Sequence, residues 1–100
     1  MLEVGCNLGH NLTALADIFD IEPVGIEPND YARRKARLSD PRLSVIKGTA
    51  FDLPFKDGVF DLAFTSGVLI HINLKNLPIA IDELIRVSRN PNGSPFFLSA

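Results

Sequence analysis

The chain has a single cysteine, Cys6, so no disulfide can form within it, and a reducing cytoplasm is the expected compartment. It also has no surplus of basic charge. Ten Lys and Arg stand against twelve Asp and Glu, a formal net charge of −2, which leaves no electrostatic footprint for nucleic acid. No apolar run approaches the length that spans a bilayer, and the N-terminus lacks the basic-then-apolar layout of a signal peptide, so no membrane partner is expected. Metal-ligand spacing around Cys6 is missing, as are internal repeats and low-complexity segments. What is there is ordinary for a soluble globular chain: 46% hydrophobic and 22% charged residues, in a length that allows one small domain. Met1 falls almost inside the first apolar stretch, and Phe96 to Ser99 reads as a strand with nothing after it. The expectation is a partial domain over residues 1–100, incomplete at both ends.

The organising stretch is Met1 to Leu12, M-L-E-V-G-C-N-L-G-H-N-L. Leu2 and Val4 suit a short buried strand, Gly5 stops it, Gly9 lies in the loop, and a helical pattern follows. Strand, glycine loop and helix together point backbone N–H groups and a helix N-terminus at one spot. Leu12, Leu15, Ala16 and Phe19 then recur at helical spacing, with either Asn11 as the N-cap or the helix beginning a residue or two earlier. Val24 to Ile26 reads as a second strand. A second helix over Tyr31 to Leu38 is capped by Asn29 or Asp30, with Arg33, Arg34, Lys35 and Arg37 as a solvated face. Leu43 to Lys47 is a third strand, Gly48 to Phe55 is irregular, and Phe60 to Thr65 is a fourth strand, apolar on both faces. Leu77, Ala80, Ile81, Leu84 and Ser88 line a third helix, Asn90 to Gly93 breaks it, and Ser94 to Ser99 is a fifth strand.

This order predicts an α/β fold, a doubly wound parallel sheet of about five strands with helices on both faces. Right-handed crossovers place the ligand outside the carboxyl ends of the strands, where strand order reverses. Gly5 to Gly9, Glu27, Gly48 to Phe51 and Thr65 to Gly67 all follow strands on that edge. The dinucleotide fingerprint needs a glycine at the middle of the loop, and Asn7 stands there; its side chain argues against a pyrophosphate cofactor. A smaller nucleoside ligand without phosphate fits better. Glu27 lies about twenty residues past the loop, where an acidic residue meets a ribose diol through charge-assisted bonds of about 1.5–3 kcal/mol each. Its other reading is the start of the helix after Pro28.

Five segments, in order, resemble the class I S-adenosylmethionine-dependent methyltransferases. They are E-V-G-C-N-L-G (Glu3 to Gly9), V-G-I-E-P-N (Val24 to Asn29), G-T-A-F-D-L-P-F (Gly48 to Phe55), F-D-L-A-F-T-S-G-V-L-I-H-I (Phe60 to Ile72) and L-P-I-A-I-D-E-L-I-R-V-S (Leu77 to Ser88). The later segments are most similar to methylases associated with nonulosonic (pseudaminic) acid pathways. The resemblance implies a Rossmann-like fold, S-adenosyl-L-methionine as cofactor, a small-molecule methyl acceptor, and no metal. It puts Glu3 within the cofactor segment, Gly5, Cys6 and Asn7 against the methionine end, and Gly9 at a close packing of loop on helix. Glu27 would hold the ribose, with Pro28 shaping the adenine side, Ala50 and Phe51 flanking adenine, and Thr65 and Ser66 under the sulfonium. Thr49 departs from the family's frequent Asp at the adenine amino group.

No catalytic residue is assigned. His71 follows the fourth strand and is the candidate general base, with a packing role as its alternative; His10 either touches the cofactor carboxylate or simply starts a helix. Asp52 is expected to brace its loop, and Cys6 to be an inert small residue. Two rivals share the architecture: a non-catalytic or degenerate nucleoside-binding module, and an NAD(P)-dependent oxidoreductase. With acceptor-covering flanks missing, weak cofactor affinity and little turnover are expected of this chain alone.

Overall fold

A computed structural model of the protein describes residues 1–88 and the backbone of 97–98. Five short strands form one sheet in which every neighbouring pair is parallel: β1 (Leu2–Val4), β2 (Val24–Ile26), β3 (Ser44–Ile46), β4 (Ala63–Thr65) and β5 (Phe97–Leu98), in the order β3-β2-β1-β4-β5. Three helices connect them: α1 (His10–Ile18), α2 (Asp30–Ser39) and α3 (Leu77–Ser88), with a short 3-10 turn at Leu69–His71. Chain direction across the sheet reverses between β1 and β4, so right-handed crossovers send α1 and α2 to one face and α3 to the other.

The two cores follow from the period of two along the strands. Leu2 and Val4 point toward α3 and pack with Ile26, Ala63, Leu84 and Val87. Cys6, Leu12, Ala36, Leu43, Val45 and Phe64 fill the α1–α2 side. Leu2, Leu12, Ile26, Leu84 and Val87 are almost entirely buried, each contributing about 1.5–3 kcal/mol by leaving water. Glu3, between Leu2 and Val4, necessarily faces the α1 side.

Helix boundaries differ from the sequence expectation where a glycine intervenes. α1 starts at His10, and its cap is Gly9 at φ 81°, with the Thr13 N–H donating to the Gly9 carbonyl. Asn11 therefore lies inside the first turn and does no capping. Phe19, expected on the buried face, is the extended residue that ends the helix and is exposed. Asn29 caps α2 as expected, its side chain accepting from the Ala32 N–H at 2.9 Å.

The fourth strand is shorter than Phe60 to Thr65. The N–H groups of Gly58 and Phe60 donate to the carbonyls of Arg86 and Val87 at the end of α3, so this stretch is tied to a helix and not to a ladder. Phe60 is instead a core residue, edge-on to Phe55 with ring centroids 4.8 Å apart. The third strand keeps Ser44–Ile46 of its expected span, and the fifth keeps Phe97–Leu98; the break at Asn90 to Gly93 lies outside the described residues.

Candidate functional site

At the carboxyl edge of β1, β2, β3 and β4 the connecting loops enclose a cavity of about 980 Å³. Its floor is the β1–α1 loop. Gly5, Asn7 and Gly9 all take the left-handed conformation (φ 75°, 52° and 81°), and the Gly5 and Cys6 N–H groups both donate to the Ile26 carbonyl at 2.7 and 3.0 Å. The loop thereby folds over the end of β2. Asparagine is among the few residues that accept this backbone, so Asn7 holds the turn where glycine is usual and still projects a side chain at the cavity.

Glu27 ties the loop down. Its Oε1 accepts the Asn7 N–H and its Oε2 accepts the Asn29 N–H, each at 2.9 Å. The carboxylate is buried but lines the cavity, and each oxygen keeps a second lone pair. Its two sequence readings are thus joined by a third role: it braces both the glycine loop and the turn into α2.

Glu3 lies deeper. It is 2% exposed; its Oε2 accepts from the Asn11 amide at 3.0 Å, while Oε1 has no partner among the described residues. Burial pushes its pKa up to about 7, the Asn11 bond opposes this, and the Glu27 charge adds to it. Cys6 is shifted the same way, to about 12, by burial and then by the two carboxylates, so it is an unreactive thiol, as expected. Gly25 is required beside it, because a Cβ there would lie 2.5 Å from the Cys6 sulfur. The described lining contains two glutamates and no lysine, arginine or aspartate, so the cavity has the electrostatics of a cation site.

Of the residues singled out from sequence, Glu3, Gly5, Cys6, Asn7, Glu27, Pro28, Ala50, Phe51 and Ser66 all line this cavity. Two do not. Gly9 packs away from it, with a Cβ there 2.5 Å from Leu43 Cδ1 and 3.3 Å from Ala36, which is the tight loop-on-helix approach expected of it. Thr65 pairs in register with Val4, not with Glu3, so its side chain faces α3; it is buried and its hydroxyl has no partner among the described residues. His71 is exposed and absent from the lining, whereas His10 is part of it. Asp52 makes no side-chain hydrogen bond among the described residues; Thr49 Oγ1, which accepts the Phe51 N–H, and Glu83, which accepts the Leu53 N–H, do that bracing. Arg33 is not part of a solvated face: it donates to the carbonyls of Glu27 and Pro28.

Sequence reasoning missed Asn11, Tyr31, Val68 and Ile72 as lining residues. Tyr31, half exposed on the first turn of α2, had a signal: an aromatic four residues past the acidic end of β2.

A family described as "Methyltransferase domain" matches residues 2–96. The chain belongs to this family. The cofactor of the family is S-adenosyl-L-methionine, and the fold is its Rossmann-like sheet. Among curated relatives, norajmaline N-methyltransferase of Rauvolfia serpentina is 33% identical over 94 residues, covering 88% of this chain and 32% of the relative. The 24-methylenesterol C-methyltransferase 2 of Oryza sativa is 32% identical over 77 residues, covering 71% of this chain and 21% of the relative. A solved S-adenosylmethionine-dependent methyltransferase of Thermotoga maritima, described as a possible histamine N-methyltransferase, superposes with a TM-score of 0.70 at 30% identity, covering 86% of this chain and 37% of that one. The methyltransferase domain here thus spans between about a fifth and two fifths of the length of these proteins.

Its cavity fits the cofactor on its own chemistry. A buried carboxylate oxygen with no partner among the described residues and a second carboxylate in the lining suit a ligand bearing an ammonium and a sulfonium.

Proposed function

We propose that this methyltransferase domain binds S-adenosyl-L-methionine between β1, β2 and β4 and directs methyl transfer to a small-molecule acceptor. The observation carrying the reading is the pair Glu3 and Glu27 in a cavity with no lysine or arginine among its described lining residues. A diphosphate brought to about 4 Å from the Glu27 carboxylate would meet repulsion of about 4 kcal/mol per charge pair at a partly screened site. That favours a cationic nucleoside over a nicotinamide cofactor.

On this reading Glu3 Oε1 receives the ammonium, the free lone pairs of Glu27 receive the ribose hydroxyls, and Ala50 and Phe51 flank the base. Pro28 shapes the base side, while Gly5, Cys6 and Asn7 pass the methionine end. Ser66 lies toward the reacting end. When bound, the cofactor supplies a methyl group on a sulfonium leaving group. The chain's own contribution is alignment, which is worth about 7–11 kcal/mol in favourable cases. No side chain is assigned to take a proton.

An amine or a sterol acceptor is supported by the norajmaline N-methyltransferase and 24-methylenesterol C-methyltransferase relatives, and a nonulosonic acid by the later sequence segments. Incubation with methyl-labelled cofactor and a panel of amines, sterols and nonulosonic acids separates them. Calorimetry with S-adenosylhomocysteine tests the site first: absence of binding, or binding of reduced nicotinamide cofactor, would sink the proposal. Binding without transfer to any acceptor would favour the non-catalytic module.

A further inference from the structure

The cavity wall at Thr49, Ala50 and Phe51 is held by Ala50, which packs against the α3-side core, and by few hydrogen bonds of its own. Its internal ties are long: the Asp52 N–H reaches the Thr49 carbonyl at 3.4 Å and the Phe51 N–H reaches Thr49 Oγ1 at 3.3 Å. Phe51 is half exposed. Immediately after it, however, the chain is clamped to α3 from a residue that does not touch the cavity. Arg86 Nη2 donates to the Leu53 carbonyl at 2.9 Å, and Nη1 donates to the Phe55 carbonyl at 2.6 Å and to Asp57 Oδ1 at 3.1 Å. Its Nε and Nη2 also donate to Glu83, at 3.1 and 2.5 Å to Oε2. Glu83 Oε2 in turn accepts the Leu53 N–H at 3.3 Å. Every donor of the guanidinium fork is engaged, and both backbone groups of Leu53 are held.

We propose that Arg86, oriented by Glu83, is a positioning residue for the Thr49–Phe51 wall, so that cofactor affinity depends on a guanidinium outside the cavity. The wall hangs between the end of edge strand β3 and the anchored Leu53, whose side chain is buried in the α3-side core. Freeing Leu53 and Phe55 lets that span drift, and a displacement of about 1 Å in a binding wall costs affinity steeply. Lysine cannot replace the fork, since its ammonium reaches at most part of the same acceptors. The inference rests on the cofactor reading above.

The test compares the full chain with Arg86→Gln, Arg86→Lys and Arg42→Gln. Arg42 supplies an equally rich cluster with Asp40 and Asp17, remote from the cavity lining, and serves as the control for general destabilisation. Titration with S-adenosylhomocysteine is expected to weaken by about tenfold or more for Arg86→Gln, by less for Arg86→Lys, and not for Arg42→Gln. Amide exchange at residues 50–53 should accelerate in Arg86→Gln while β1 and β2 stay protected. Unchanged affinity in folded Arg86→Gln, or an equal loss in Arg42→Gln, overturns the proposal. If Arg86→Gln does not fold, Arg86→Lys carries the same comparison. If the unsubstituted chain binds no S-adenosylhomocysteine, the cofactor reading fails, and exchange at 50–53 still decides the clamp: no acceleration refutes it.

Discussion

Replacing Glu3 with Gln removes an ionisable group from the middle of the sheet, and the effect on stability should depend on pH with a definite sign. In the unfolded chain the carboxyl titrates near 4.5; in the folded protein burial raises this to about 7. Between those values the native state keeps a proton that the unfolded chain has released. Stability from this group is therefore full below about 4.5, falls as pH rises through the window, and levels off above about 7. The difference of the two values, 7 − 4.5 = 2.5 units at about 1.36 kcal/mol each, gives about 3 kcal/mol. Against a typical domain stability of about 5–15 kcal/mol that is a large share. The Gln variant keeps the shape and cannot ionise. Urea unfolding of both proteins at several pH values from about 4.5 to 8 should show Glu3→Gln gaining on the parent by about 3 kcal/mol across the window. A difference that stays constant with pH would falsify the account. Cofactor binding should move the opposite way: a ligand ammonium at Oε1 favours the ionised carboxylate, so parental affinity rises with pH toward about 7 and proton release accompanies binding, while the Gln variant shows neither. A more stable, poorly binding variant is the expected trade-off at a strained site.

Glu27→Gln must point an NH₂ group at one of the two N–H donors that the carboxylate now satisfies, costing about 1–3 kcal/mol of stability and most of the affinity for S-adenosylhomocysteine; an unchanged dissociation constant would confine Glu27 to bracing. Gly9→Ala forces a side chain onto a φ of 81° and against Leu43, and thermal unfolding should register about 1–3 kcal/mol of destabilisation. Asp40 is held well below the usual carboxylate range chiefly by hydrogen bonds from Arg42, with Thr13 adding to them against the cost of burial. Its stabilisation is present above the ordinary carboxylate pKa and is lost as pH falls through the depressed one, so Asp40→Asn should be less stable at neutral pH and converge on the parent in strong acid, as followed by fluorescence or circular dichroism. Fluorescence titration with reduced nicotinamide cofactor should give no saturable signal, and a clear binding curve would reopen the oxidoreductase reading.

Local pattern carried most of the architecture. The apolar pairs of β1 and β2, the helical spacing around Leu12 and Leu84, and the Asn29 cap are decided within a few residues, because backbone hydrogen bonding and side-chain period act over that range. The alternation of strands and helices then left one sensible sheet order and one edge for the site, so Glu27, Asn7, Ala50 and Phe51 could be brought together on paper. Tertiary structure alone decided what depends on a distant partner. Phe60 leaves the strand because the Val87 carbonyl of α3 takes its N–H, Thr65 turns from the cavity because its register pairs it with Val4, and Asn11 serves Glu3 because the helix starts at His10, after its Gly9 cap. The unpartnered oxygen of Glu3 and the grip of Arg86 on Leu53, 33 residues away, are further consequences of packing that no run of adjacent residues encodes.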